Sequence, residues 1–296
     1  MDKIIQLLEQ TVPVFLYKNI KDISQNYLEM PSEHAEPLLI ANVIMKFWSL
    51  KMFRYAENLI LDKAIEDGYF KREQKKFIKI FNQEEEEEEE NTKYNWVITN
   101  KDNIIINLIW EKFNMKNHFE QVSSHRNWVL RSYLALKDVL PHNNDNNLLE
   151  IINRHDLSKF AFRQAIGYTL KWVHNINRDP IWEAARILHI WNEPHHPQMW
   201  HLNQTQTRKR IKTWLNNNNN NNNNNNLNLD NEKHIFFPLI FLLESYIDMV
   251  AIEWKKSGRG DDILKKDLIN IVDEKFMNRY TITDRNTLNN VIKSVM

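Results

Sequence analysis

The chain has no cysteine, and only 4 glycines and 8 prolines among its 296 residues. Without cysteine it can form no disulfide, no thiolate zinc site and no cysteine nucleophile, which agrees with a reducing compartment. The scarcity of glycine and proline leaves few residues for the tight turns of an all-β fold or for a glycine-rich phosphate loop. We therefore expect an all-α fold.

An excess of charge and long apolar runs are also missing. The 39 basic and 39 acidic residues cancel at pH 7, so no overall charge attracts the chain to nucleic acid or to an anionic membrane. No uncharged apolar run reaches the roughly 18 residues of a membrane span. The N-terminus lacks the apolar core of a signal peptide. We expect an intracellular, cytoplasmic protein without a membrane partner, and the composition leaves the oligomeric state open.

Apolar residues are plentiful and recur at helical spacing. They make up 42% of the chain, enough for a sizeable core. Their periodicity predicts helices at 36–67, 104–113, 118–140, 148–174, 180–191, 236–256, 262–276 and 283–295. Asp179 followed by Pro180 is a typical helix start. The helix at 148–174 is expected to break near 156–159.

Two low-complexity runs interrupt this pattern. Glu84–Glu90 is a run of seven glutamates, and Asn216–Asn226 is a run of eleven asparagines. Neither can bury an apolar face, so both predict disordered loops. The predicted organisation is a helical N-terminal segment at 1–83, an acidic insertion at 84–92 and a helical domain at 104–296 interrupted by the loop at 216–226.

The residues with the most distinctive chemistry surround the run Arg154–Phe160. It contains His155 followed by Asp156, and His125 lies thirty residues earlier. Neutral imidazole and carboxylate groups are common ligands of divalent metals. Adjacent residues on a helix diverge by about 100°, so both side chains can reach one ion only near a helix end or kink.

Further candidate ligands follow this run. His189, His195 and His196 form a cluster bracketed by proline and tryptophan, and Asp248 and Glu253 lie in a later apolar helix. A lone histidine on an apolar face is more often a buried, hydrogen-bonded side chain, and a lone His-Asp pair arises often by chance. The joint pattern is what favours a metal site.

These residues resemble the HD superfamily of metal-dependent phosphohydrolases. They are most similar to an HD-like family found in phages and bacteria, whose members share an early His, an HD-x-SKF run and a later A-x-x-x-H-x5-HH-x-x-x-W run. The matching residues are His125, His155–Phe160, Tyr168, Ala185–Trp200 and Glu253-Trp254. The resemblance covers about 117–260 and implies that the domain at 104–296 is an HD-like helical bundle. The chain departs from the family at Arg163-Gln164, where members tend to carry Glu-Phe.

The resemblance implies a metal-dependent hydrolase that acts on a nucleotide or another small phosphorylated substrate. Several imidazoles favour Mn, Fe, Co, Ni or Zn over Mg. The ion is expected on His125, His155, Asp156 and a later acid, either Asp248 or Glu253. His189, His195 or His196 would bind a second ion or donate a proton to the leaving oxygen. Lys159 and Arg126 would neutralise phosphate, although Lys159 could equally form a salt bridge with Asp156.

Three alternatives remain at this stage. A catalytically silent metal-binding or interaction protein could keep the same helical core. Ser124–Leu130 loosely resembles the helices of prenyltransferase α-subunit repeats, but it occurs once, and one copy cannot build a solenoid. A nucleic-acid role would depend on the short basic stretch Arg208–Lys212 alone.

Overall fold

The computed structural model of this chain describes residues 1–48, 50–81, 102–138, 140, 146–197, 239–258 and 280–295. These residues form helices and contain no strand, so the predicted all-α class is confirmed for them. Every helix within these ranges is too short or too polar to cross a lipid bilayer. Both low-complexity runs and the predicted helix at 262–276 lie outside the described residues.

The helices are numbered here in chain order. The α-helices are α1 (Asp2–Thr11), α2 (Tyr17–Gln25), α3 (Ser32–Phe47), α4 (Leu50–Glu66), α5 (Lys75–Ile80), α6 (Asp102–Ile106), α7 (Met115–Leu136), α8 (Asn146–Arg154), α9 (Phe162–Trp172), α10 (Pro180–Asn192), α11 (Leu239–Ser257) and α12 (Ile282–Val295). Short 3-10 helices are formed by Val14–Leu16, Arg72–Gln74 and Leu157–Phe160, and Asn107–Lys112 is π-helical.

Two predicted helices are divided in the structure. The helix predicted at 36–67 is α3 and α4, because Trp48 has extended backbone angles and its buried ring stacks on Phe162. The helix predicted at 148–174 is α8, a 3-10 turn and α9, with the break where it was expected. The start of α10 also follows the prediction, since Asp179 Oδ1 accepts a hydrogen bond of 2.8 Å from the amide of Ile181.

The chain divides into two compact units, each made of two separate stretches. The first unit contains residues 1–123 and 156–189, and the second contains 124–155 and 190–296. This division differs from the predicted boundaries at 83 and 104. The reason is that apolar residues of 105–122 and 157–170 share one core with the N-terminal helices.

In the first unit, α9 and α10 approach each other closely at Gly167. A Cβ atom at this position would lie 2.4 Å from the Cβ of Ala185 and 2.7 Å from the carbonyl oxygen of Ile181. Only glycine permits this spacing, because the obstruction includes backbone. The contact fixes α10, which carries His189, against α9.

The second unit has its own apolar core. It combines residues of α7, α8, α11 and α12, among them Val129, Ile152, Leu243, Ile247 and Leu288. Helix α11 is buried along most of its length, yet it carries the carboxylates of Glu244 and Asp248. Glu244 is buried and Asp248 is half-buried. Charges removed from water are costly unless they are paired or coordinate a cation, so these two acids mark a site.

Candidate metal centre

His155 lies immediately after the end of α8. The helix ends at Arg154, and the His155 amide still donates to the carbonyl of Ile152. Asp156 then adopts the left-handed conformation, with φ 58°, which is uncommon for residues other than glycine. The expected position of the His155–Asp156 pair at a helix end is therefore confirmed.

Arg126 of α7 fixes the backbone at this helix end. Its Nε donates to the carbonyl oxygen of His155 at 2.8 Å, and its Nη2 donates to that of Asn153 at 2.7 Å. The carbonyls at a helix C-terminus lack helical partners and attract a cation. His125 precedes Arg126, so one segment of α7 supplies both a candidate ligand and the anchor of another.

Three candidate ligand atoms converge in the second unit. His125 Nε2 lies 3.3 Å from His155 Nε2. Asp248 Oδ1 lies 3.0 Å from His125 Nε2 and 3.6 Å from His155 Nε2. We call His125, His155 and Asp248 the ligand triangle.

The ligand triangle fits a divalent metal ion. Nitrogen and oxygen ligands about 2.0–2.2 Å from a tetrahedral ion are about 3.4 Å apart, close to the observed spacings. The Asp248 Oδ1 atom is buried and makes no hydrogen bond within the described residues, although both imidazoles are close. A shared cation would satisfy this acceptor.

The charge of Asp248 also suits a cation site. Burial by itself raises the pKa of this carboxyl, but its contacts with His125 and His155 hold the pKa well below its ordinary value. Asp248 is therefore ionised at neutral pH and available as a ligand.

Glu244 supports His155 from the opposite side. His155 Nδ1 donates to Glu244 Oε1 at 3.0 Å, and both side chains are buried. In a neutral imidazole, a proton on Nδ1 leaves the Nε2 lone pair free for a metal. Metal-binding histidines in proteins usually have such a carboxylate behind them.

Glu244 also lies beside His195. Its Oε1 is 3.3 Å from His195 Nδ1, and the rings of His155 and His195 are 4.3 Å apart. Burial raises the pKa of Glu244, but the two histidines outweigh it, so the pKa is lower than usual. His155, His195 and Glu244 together could also hold a metal ion.

The other residues of the His195 segment complete this cluster. The ring of His196 lies 4.4 Å from that of His195, and Glu193 Oε2 lies 4.0 Å from His195 Nδ1. Glu193 and His195 are buried, whereas His196 is half-buried. Glu193 and His196 therefore lie beside His195, which is the member of this segment in contact with Glu244.

In the first unit, further polar side chains surround Asp156. Its Oδ2 accepts a 2.6 Å salt bridge from Lys159 Nζ, and Lys159 also lies over the rings of Tyr168 and Trp172. Of the two roles that the sequence left open for Lys159, the salt bridge is present.

His189 belongs to the same cluster as Asp156. Its Nε2 lies 3.4 Å from Asp156 Oδ1, and its Nδ1 is hydrogen-bonded to Ser158 Oγ at 3.0 Å. The edge of Tyr168 packs against its ring. The His189 ring is thus hydrogen-bonded at Nδ1 and close to a carboxylate at Nε2. Its role as a ligand of a second ion remains a prediction.

His118 is a buried histidine outside both groups of candidate ligands. Its Nε2 donates to the Lys159 carbonyl at 3.0 Å, and its ring stacks on Tyr168. Burial lowers the pKa of His118 to about 4, so the ring is neutral at pH 7.

The structure brings together part of the predicted site and adds one residue. His125, His155 and Asp248 meet. His195 lies beside Glu244, a residue that the sequence analysis does not single out, and His196 packs against His195. Glu253, the alternative last acid, pairs instead with Lys256 at 2.6 Å. The signal for Glu244 was its position four residues before Asp248 in an apolar stretch, which places both acids on one helix face.

Comparison of the chain with protein-family models, curated proteins and solved structures finds no match. A functional assignment therefore has to come from the chemistry of the two clusters.

Proposed function

We propose that this chain is a metal-dependent phosphoester hydrolase of the HD type that acts on a nucleotide or another small phosphorylated substrate. The observation that carries the proposal is the ligand triangle, with Glu244 behind His155. Two imidazole nitrogens and an ionised carboxylate suit a transition metal better than Mg²⁺, which prefers oxygen ligands and bound water.

Each residue of the site would have a distinct role. A divalent ion would supply Lewis acidity and a nucleophilic water at neutral pH. His125, His155 and Asp248 would hold it, and Glu244 would fix the tautomer of His155. His195 lies next to this group and is the candidate to move a proton at the leaving oxygen.

A catalytically silent metal-binding protein is the second candidate, and a specific observation favours it. Both cations assigned to phosphate already have partners within the protein: Arg126 holds two backbone carbonyls, and Lys159 is paired with Asp156. A phosphohydrolase needs positive charge to stabilise the negative charge of the phosphate group. Arg126 and Lys159 would have to bind that phosphate in addition to their present partners or in place of them.

Metal analysis combined with a substrate screen tests the proposal. We expect the purified chain to hold a transition metal in stoichiometric amount and to hydrolyse a phosphoester in a panel assayed with Mn, Co, Ni and Mg. His155→Ala should abolish both properties, whereas His34→Ala, a histidine of α3 outside both clusters, should change neither. Stoichiometric metal without turnover would favour the silent protein, and a chain that binds no metal would refute both candidates.

A further inference from the structure

The helices that carry His125 and Asp248 also bring two tryptophans together. Trp128 of α7 lies three residues after His125, and Trp254 of α11 lies six residues after Asp248. Their ring centroids are 5.3 Å apart, and the ring planes are inclined by 70°. All four residues belong to the second unit. An aromatic pair therefore lies on the same two helices as two members of the ligand triangle.

The two tryptophan rings differ in exposure. Trp254 is 5% exposed and belongs to the apolar core of the second unit, whereas Trp128 is half-buried and packs against that core. The guanidinium of Arg131 lies 4.3 Å from the centre of the Trp128 ring and 5.3 Å from that of Trp254. Such cation–π contacts stabilise an aromatic ring in one position. Trp128 is thus held by two neighbours while part of its ring remains at the surface.

We propose that Trp128 determines the specificity of this site by stacking on the base of a nucleotide whose phosphate group lies at the ligand triangle. The inference rests on the proposed function and narrows its substrate class to nucleotides. Trp128 would contact the substrate but would take no part in the chemical step.

The spacing along α7 supports this placement of the base. Side chains three residues apart on a helix are neighbours, with Cβ atoms about 5–6 Å apart. The Nε2 atom of His125 lies 3.0 Å from Asp248 Oδ1, so the imidazole points towards the ligand triangle. The indole of Trp128 therefore begins next to the candidate metal ligands. In a nucleotide the sugar separates the base from the phosphate, so a phosphate at the ion would place the base beside it.

The chemistry of the indole favours a base over a sugar or an alkyl group. Every nucleobase has a flat π face, and stacking on an aromatic side chain is favourable for all of them. Because Arg131 and Trp254 already hold the indole, little conformational freedom is lost when a base stacks on it. We therefore expect a preference for nucleotides over phosphates that lack a base, with little discrimination among the bases.

Steady-state kinetics on a matched pair of substrates tests the proposal. Adenosine 5′-monophosphate and ribose 5-phosphate share the phosphorylated sugar, and only the nucleotide carries a base. We expect the metal-loaded wild type to have a KM for the nucleotide that is lower by roughly 10-fold or more. In Trp128→Leu this difference should disappear, because KM for the nucleotide rises while KM for ribose 5-phosphate and both kcat values stay unchanged.

Two further variants separate stacking from packing. Trp128→Phe keeps an aromatic ring and should retain most of the preference for the nucleotide. Phe15→Leu removes a ring that is 60% exposed in the first unit, and it should behave as the wild type does. A wild type with equal KM values for the two substrates would overturn the proposal, as would a Trp128→Leu protein that is impaired equally on both. If Trp128→Leu does not fold, Trp128→Met takes its place, because its flexible side chain fills irregular space.

Calorimetric binding of the same two compounds in the presence of Co²⁺ distinguishes this inference from the proposed function. A protein that hydrolyses neither compound, but binds the nucleotide more tightly through Trp128, would refute the hydrolase and retain the base-binding residue. A protein that hydrolyses both compounds with the same KM would retain the hydrolase and refute the role of Trp128.

Discussion

Glu244 and Asp248, one turn apart on α11, lie against opposite nitrogens of a single ring, that of His155. Glu244 Oε1 is 3.0 Å from Nδ1, and Asp248 Oδ1 is 3.6 Å from Nε2. A separation of four residues places both carboxylates on one helix face. Two ionised acids on a buried helix are tolerated here because histidines surround both of them.

The choice between Asp248 and Glu253 as the last acid can be tested by two matched substitutions. Asp248→Asn should weaken Co²⁺ binding by at least about 100-fold, because it removes a ligand. Loss of a residue that only supports a ligand already lowers metal affinity by about 10- to 100-fold. Glu253→Gln should bind normally, since Glu253 is paired with Lys256. Isothermal titration of the two variants decides between them, and the reverse order would exclude the ligand triangle.

Much of this arrangement follows from local sequence signals. The sequence predicts the break near Asp156, because adjacent side chains on a regular helix diverge by about 100° and could face one ion only at a helix end or kink. The start of α10 was expected from Asp179 and Pro180, whose capping chemistry needs no distant contact.

Other features depend on packing between residues that are distant in sequence. Nothing in the pattern around 105–122 shows that this stretch shares a core with the N-terminal helices, so the predicted domain boundaries differ from the two compact units. The role of Glu244 cannot be predicted from the sequence for a related reason. The role of a single acid in an apolar helix can be recognised only when its partners are known. The partner of Glu244, His155, is 89 residues away in the sequence.

Arg126 offers a way to separate a structural role from a substrate role. Arg126→Lys keeps the positive charge but cannot donate to both His155 and Asn153 in the present geometry. We expect this variant to lose about 1 kcal/mol of unfolding free energy, because the part-buried carbonyl of His155 or the exposed one of Asn153 loses a charged donor. Its metal affinity should also fall, because the backbone of His155 is no longer fixed.

The measurements for Arg126 are urea denaturation and metal titration, with KM as the readout for substrate binding. Arg131→Lys on the same helix is a suitable comparison, since Arg131 packs over Trp128 and Trp254. If Arg126→Lys changes only KM and leaves the stability intact, Arg126 binds phosphate and the anchor is unimportant.

His118 predicts how stability depends on pH. Its pKa is lowered to about 4 in the folded protein, against about 6.5 for an ordinary histidine. Between these values the unfolded chain binds a proton that the folded chain does not, so the free energy of unfolding falls as the pH is lowered through this range. The full effect of this one group is roughly 3 kcal/mol.

The comparison that isolates His118 uses His118→Gln, which can still donate to the Lys159 carbonyl. We expect its free energy of unfolding, measured by urea denaturation from pH 7.5 to 4.5, to fall less steeply with acid than that of the wild type. Other histidines contribute equally to both proteins and cancel in the difference. Parallel curves for the two proteins would show that His118 titrates normally.

The two roles that the sequence left open for Lys159 lead to the last prediction. Asp156 and Lys159 form a buried pair, with side chains 1% and 11% exposed. Removing one partner from such a pair typically costs about 3–5 kcal/mol, because the remaining charge is buried alone, whereas replacing both partners is often nearly neutral. Asp156→Asn and Lys159→Met should therefore each destabilise the chain strongly, and the double variant should recover much of the loss. If the two losses simply add, the two side chains are not coupled in the folded protein. The charge of Lys159 would then be explained by phosphate binding, which a higher KM in Lys159→Met would show.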